Sequence, residues 1–364
     1  STPRHSNTAA RPLNSHSRER GFVAVFQLAF EPVKDDPGNP TTRLRCIEVA
    51  RALRGLGIAT DMLCDGERSE VLVWGRRDWG LDVDRLRRRH RRVVFDFTDN
   101  LLVYPHPTCD VRGRLRALKW QLQDRDRIRR FIARFDAVVV GSRWLAERVR
   151  EAYSGAVYVI EDGQPAVELA RSREQRFEAV WVGMNDNIEY LFEVFGDRGD
   201  FADIGLKVIT SRRKSRPFRG TRSNEVLAAR LPFRASFVEW RPQRYLEEIA
   251  ECRVGLAPLP PNEVTLAKTE NKLVLYSALG IPFLCSDIPA YRDYVERHGL
   301  GRICRDREDW LSGLHEFTEN KRLRESIARR GPEVVARHYG MDVIARKYLA
   351  LYEDLMGVGC RMAR

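Results

Sequence analysis

Residues 253–291 read RVGLAPLPPNEVTLAKTENKLVLYSALGIPFLCSDIPAY, and the fold turns on how they are divided. Val254 to Ala257 is a short apolar run that stops at Pro258, Pro260 and Pro261, which cannot donate to a ladder and so pass the chain to a loop. That loop carries Asn262, Glu263, Lys268 and Thr269. Thr269 is placed to cap a helix beginning near Glu270, Gly280 to end it, and Ile281 to Cys285 is apolar enough for a central parallel strand. This order gathers polar groups at a strand's carboxyl end and a helix's amino end. In open α/β sheets ligands bind there, and free helix N–H groups beside Lys268 and Lys272 favour a phosphate.

Working outward, 364 residues are enough for two domains with separate cores, and no apolar run reaches the length of a membrane span. The net charge of +12 calls for an anionic partner: a nucleotide, a membrane surface or a nucleic acid. Seven scattered cysteines without CxxC spacing read as reduced core thiols of a cytosolic protein. Residues 1–20 are polar with no apolar core and read as a disordered arm, not a signal peptide. A dinucleotide-binding glycine fingerprint is absent, and Ser142 lacks the GxSxG setting of a nucleophile.

Apolar runs alternate with helical pieces along the whole chain, the rhythm of parallel βαβ units. Gly21 to Leu28 is a first strand, followed by a helix over about Thr41 to Leu56 with Thr41 or Thr42 as cap. Arg43 and Arg45 fall in its first turn, where the helix dipole disfavours cations; a bound anion would compensate, or both are solvated. Ile58–Cys64, Val71–Trp74, Val93–Phe97 and Asp136–Val140 are further strands, and Thr98-Asp99-Asn100 leaves the end of one. RLRRRHRR (Arg85–Arg92) and the segment 110–135, basic with interleaved apolar residues, read either as a membrane-surface element or as ordinary helix with a solvated face. Beyond a polar linker at Gln164–Glu174, strands are expected at 179–183, 206–210, 236–240 and 301–304, and helices at 308–319, 321–329 and 341–355. Ser211-Arg212-Arg213-Lys214 leaves a strand end, as a phosphate clamp or a solvated loop.

Asn271-Lys272-Leu273, Tyr276, Ala278, Gly280, Pro282 and Ser286-Asp287-Ile288-Pro289-Ala290-Tyr291 together resemble the donor-site signature of group 1 glycosyltransferases. Asp136–Leu145, Val157–Gly163 and the tyrosine-rich carboxyl end (Tyr339, Tyr348, Tyr352) are similar to other blocks of that family. The resemblance implies the GT-B fold: two Rossmann-like parallel-sheet α/β domains facing a cleft, over residues 21–165 and 175–338, with a helix at 339–356 crossing back to the first. It implies transfer of a sugar from a nucleotide-sugar to a glycan or lipid-linked acceptor, with retention and without metal or other cofactor. Asp99, Asn100 and Glu270 are then expected to orient the sugar. Lys268, Asn271, Lys272, Arg212 and Arg213 would hold the diphosphate, Trp240 the base, and Arg43 and Arg45 the first-domain side of the cleft. The same resemblance implies a cytoplasmic enzyme, peripheral on the inner membrane face through its basic segments, with no nucleic-acid partner. The chain departs from the family at Leu275, where many members carry a glutamate. That departure supports an alternative, a GT-B scaffold that binds nucleotide-sugars without chemistry; nucleic-acid binding through the arginine runs is a third.

Overall fold

The computed structural model describes residues 25–63, 67–103, 115, 118–120, 124–167, 175–196 and 199–358. The arm at 1–20, most of the basic run at 110–123 and linker residues 168–174 lie outside them.

Strands β1 (Val25–Glu31), β2 (Thr60–Met62), β3 (Arg68–Trp74), β4 (His90–Phe97), β5 (Ala137–Val140) and β6 (Ala156–Val159) form a parallel sheet in the order β2-β1-β3-β4-β5-β6. The second sheet contains β7 (Phe177–Val182) and β8 (Phe201–Thr210), then, after a β9–β10 hairpin (Arg213–Phe218, Thr221–Ser223), β11 (Phe233–Glu239), β12 (Cys252–Ala257), β13 (Phe283–Ser286) and β14 (Gly301–Cys304). Its order is β11-β8-β7-β12-β13-β14, again parallel throughout. Parallel strands are covered on both faces, which is why β5 is four successive buried apolar residues and not an alternating pattern.

Helix Met341–Met356 crosses back to the first domain. Ile344, Ala345, Tyr348 and Leu351 join Leu28, Phe30, Val49 and Val94 in one buried cluster, and the Tyr348 hydroxyl donates to Asp96 at 2.5 Å. The exit of helix Asn271–Ala278 is a glycine for a plain reason. Gly280 sits at φ +67°, and a Cβ there would lie 2.9 Å from the Ala328 backbone.

Several local expectations are corrected. Neither Thr41 nor Thr42 caps the first helix; Asn39 does, accepting both their N–H groups at 3.1 and 3.2 Å, with Pro40 in the first turn. Arg43–Ile47 is a π-helical turn, which buries three successive residues, Leu44, Arg45 and Cys46. The helix expected to stop at Arg329 runs over Lys321–Tyr339 through Pro332. The 85–92 run is not one basic element: it spans the end of helix Val83–Arg87 and the start of β4. In helix Arg125–Ile132, Ile128, Phe131 and Ile132 are buried in the first-domain core. Among the described residues no helix is long and apolar enough to cross a membrane. Cys46, Cys252, Cys285 and Cys304 are buried free thiols.

Candidate active site

The carboxyl ends of β7, β8 and β11 and the amino end of helix Asn271–Ala278 face the first domain across a cleft. Gly183 and Met184 follow β7, Ser211 follows β8, and Trp240 follows β11. With Tyr245, Asn271, Lys272 and Leu275 they enclose a cavity of about 510 Å³, closed on the other side by Pro40, Arg43 and Leu44. The Lys272 ammonium lies 5.0 Å from the Trp181 ring, and no carboxylate pairs with it among the described residues. Burial, reinforced by the charge of Lys268, depresses it to about 7. Glu270 at the helix cap makes no side-chain capping bond, and while the Leu273 N–H donates to the Glu270 carbonyl at 2.8 Å, the N–H groups of Asn271 and Lys272 stay available beside this lysine. A lysine depressed in this way beside free amide donors is relieved either by losing its proton or by a bound anion.

A second cavity, of about 620 Å³, shares Pro40, Leu44, Met184 and Asn271 with the first and adds Arg77, Asp99 and Lys268. Asp99 accepts from Lys268 and Arg77, each at 2.6 Å. Burial by itself would push the Asp99 carboxyl up, but the two cations prevail and hold it well below the usual carboxylate range. Burial works against the Lys268 charge too, and Asp99 more than restores it. Beyond this trio the cleft continues into a third cavity of about 740 Å³, with Trp79, Asn100, Trp120 and Tyr190 in its wall.

Asp99, Asn100, Lys268, Asn271, Lys272, Trp240 and Arg43 therefore all line one continuous cleft. Asn100 is buried and donates its side-chain amide to the Glu263 carbonyl at 3.1 Å, tying the strand end to the opposite domain. Arg43 reaches across to Tyr245, with a 3.4 Å hydrogen bond to its hydroxyl.

Four expected residues lie elsewhere. Arg45 is 2% exposed and paired with Asp96 at 2.8 Å and Asp162 at 3.0 Å; the π-helical turn aims it into the first domain, away from any anion in the cleft. Glu270 lines none of the three cavities. Burial first, then the charges of Glu161 and Asp162, push its carboxyl up to about 8, so it is mostly neutral at pH 7. Arg212 turns to Glu225 and Glu239, Arg213 is exposed, and neither lines the cleft. Thr269 does not cap its helix; its hydroxyl donates to Asp162 at 2.8 Å. Arg77 and Tyr245 also line the cleft and are not among the residues expected there. Arg77 follows the apolar end of β3, the same strand-end signal that marks Asp99, whereas nothing in the sequence sets Tyr245 apart. Lys214, at the start of the β9–β10 hairpin, is fully buried and held by Asp186 at 3.2 Å and Glu189 at 2.7 Å.

No family model matches the sequence, and no curated protein matches it. Among solved structures, sucrose-phosphate synthase of Thermosynechococcus elongatus superposes with a TM-score of 0.65 at 14% identity, over 91% of this chain and 99% of that one. HepE of Anabaena in complex with UDP-glucose gives 0.59 at 13% identity, over 90% and 100%. A glycosyltransferase from Rickettsia africae gives 0.59 at 12%, over 92% and 100%. Likeness at these identities establishes the shared architecture, the two-domain GT-B fold.

Proposed function

We propose that this GT-B chain is a glycosyltransferase that moves a sugar from a nucleoside diphosphate donor to an acceptor hydroxyl in the cleft, with retention and without a metal ion. The observation that carries the reading is Lys272: a lysine with no carboxylate partner among the described residues, at a helix amino end, inside a cavity between two domains. The Lys272 ammonium and the amides of Asn271 and Lys272 neutralise the departing diphosphate, the charge a metal ion would otherwise supply. Trp240 packs against the base. The transferred sugar lies in the second cavity beside Asp99, which Arg77 and Lys268 keep ionised and fixed so that it accepts from sugar hydroxyls. The bond from the anomeric carbon to the diphosphate breaks with its electron pair going to the phosphate oxygen. The acceptor oxygen bonds to that carbon, and its proton passes to the leaving phosphate. A glycan or a lipid-linked glycan is the acceptor class. Support for the donor class comes from the architecture shared with HepE, which was solved with UDP-glucose.

The test is thermal unfolding with a panel of nucleoside diphosphates in the presence of a chelator. A ligand at a hundred times its dissociation constant adds about 2.7 kcal/mol, so the matching base series stands out. A flat response to every nucleotide overturns the reading, and an inverted product anomer by NMR removes retention from it. Leu275 favours a second reading, a nucleotide-sugar-binding scaffold without chemistry; binding with no transfer to any acceptor of a broad panel selects it.

A further inference from the structure

The donor cavity crosses the second sheet in strand order. Trp240 stands at the end of β11, Ser211 at the end of β8, Gly183 at the end of β7, and Lys272 on the helix that follows β12. A nucleoside diphosphate stretched along this path has its base at Trp240 and its phosphates at Lys272. Its pentose falls between them. Leu275 lines the same cavity, one helical turn in from Lys272 on the same face and only 8% exposed. Enzymes that read a ribose do so with a carboxylate that accepts from the 2′-hydroxyl. Among the described residues lining this cavity the one carboxylate is Asp36, exposed on a loop of the opposite domain. A 2′-hydroxyl placed against the Leu275 methyl groups gives up water and gains no carboxylate in return.

We propose that this cavity does not read the ribose 2′-hydroxyl, so that 2′-deoxynucleoside diphosphate donors are taken at least as well as their ribose counterparts, with Leu275 as the residue that sets the indifference. This rests on the nucleotide-sugar reading above. An apolar wall tolerates an added hydroxyl within about a hundredfold, whereas a site built to bond that hydroxyl rejects the analogue lacking it by far more.

The experiment is titration calorimetry of the full chain with paired ribose and deoxyribose diphosphates of each base: UDP and dUDP, TDP in its ribo and deoxy forms, GDP and dGDP, ADP and dADP. For the base that binds, the deoxy form is expected to bind equally or up to about tenfold more tightly. A ribose form tighter by tenfold or more overturns the inference and leaves the nucleotide reading standing. Binding by no nucleotide of any base overturns both. Leu275→Glu restores an acceptor at the pentose and is expected to move the preference toward the ribose form by about tenfold or more. An unchanged ratio in a folded variant removes Leu275 from the role, and the wild-type ratio decides the inference whether or not that variant folds.

Discussion

Arg45 and Glu270 are two residues that the chain buries at the edge of its cleft, and they answer to different physics. Arg45 is a charge kept because three groups meet it: Asp96, Asp162 and the Ile160 carbonyl at 2.9 Å. Burial alone would lower its value, yet Asp96, Tyr348 and Asp162 hold it well above its ordinary one. Arg45→Met would strand two carboxylates, and the expected loss is about 3–5 kcal/mol by chemical denaturation; a loss under about 1 kcal/mol would show that the cluster does not hold the domain together. Glu270 is the reverse, an acid whose folded value of about 8 lies above the 4.5 of the unfolded chain. A raised folded value contributes stability in full below about 4.5 and loses it as pH rises through 8. Glu270→Gln has no proton to lose, so it should gain on the wild type between pH 5 and 8, by an amount on the order of a few kcal/mol, and stay level above that. Parallel stability curves for the two proteins would place the raised value elsewhere.

At the scale of elements, the helix Asn271–Ala278 joins fold to chemistry. Lys272→Ala removes positive charge from the diphosphate while leaving the helix's packed face, including Leu273 and Tyr276, in place. Turnover should fall by about 10²- to 10³-fold with thermal stability kept, since one preorganised donor is lost; unchanged turnover would sink the assignment. A pH signature accompanies it. In the free protein Lys272 loses its proton near 7, so diphosphate affinity measured by calorimetry should weaken as pH rises above that value, and the slope should vanish in the alanine variant. This helix also marks what the sequence makes legible. Strand, proline stop, helix and glycine exit are local signals, and both parallel sheets follow from apolar runs such as VVF in β4 and AVVV in β5. Features that depend on a distant partner are not legible. Thr269 reads as a cap until Asp162 of the other domain takes its hydroxyl, and Lys214 reads as part of a phosphate clamp or a solvated loop until Asp186 and Glu189 close over it. The helix expected at 321–329 ends short of Gly331-Pro332. In the folded chain Gly331 is instead where two helices touch, a Cβ there meeting the Ser277 carbonyl at 2.4 Å, and the helix runs on. Arg45 and Glu270 read as cleft residues for the same reason: position along a helix does not say which way a side chain turns when the turn is π-helical or the neighbours lie in another domain.

Across the whole molecule, the loop between β12 and the donor helix belongs to the second sheet's connection but is anchored on the first domain. Asn100 donates to the Glu263 carbonyl at 3.1 Å, Ser142 to the Ala267 carbonyl at 3.0 Å, Lys268 pairs with Asp99, and Thr269 donates to Asp162. Ala267 itself is buried in the first-domain core. These contacts hold the cleft closed and bring Lys268 of one domain to Asp99 of the other, so the Lys268–Asp99 pair exists only in the closed form. Domain closure that completes a site is a general device for excluding water and fixing reacting groups. Gly141 is the point at which to test it. It follows β5 at the first-domain surface, and a Cβ there would lie 2.4 Å from the Thr269 methyl and 3.0 Å from that of Thr98. Gly141→Val should therefore wedge the loop away while leaving each domain's core intact. The expected outcome is an increased radius of gyration in solution scattering and a fall in kcat/KM of about 10²-fold, the penalty for displacing reacting groups by about 1 Å. Nucleotide binding at Lys272 should persist, because that cation and its helix belong wholly to the second domain. Full activity with an enlarged molecule would show that transfer does not require the Lys268–Asp99 contact, and loss of nucleotide binding together with activity would show that the donor cavity is not independent of closure.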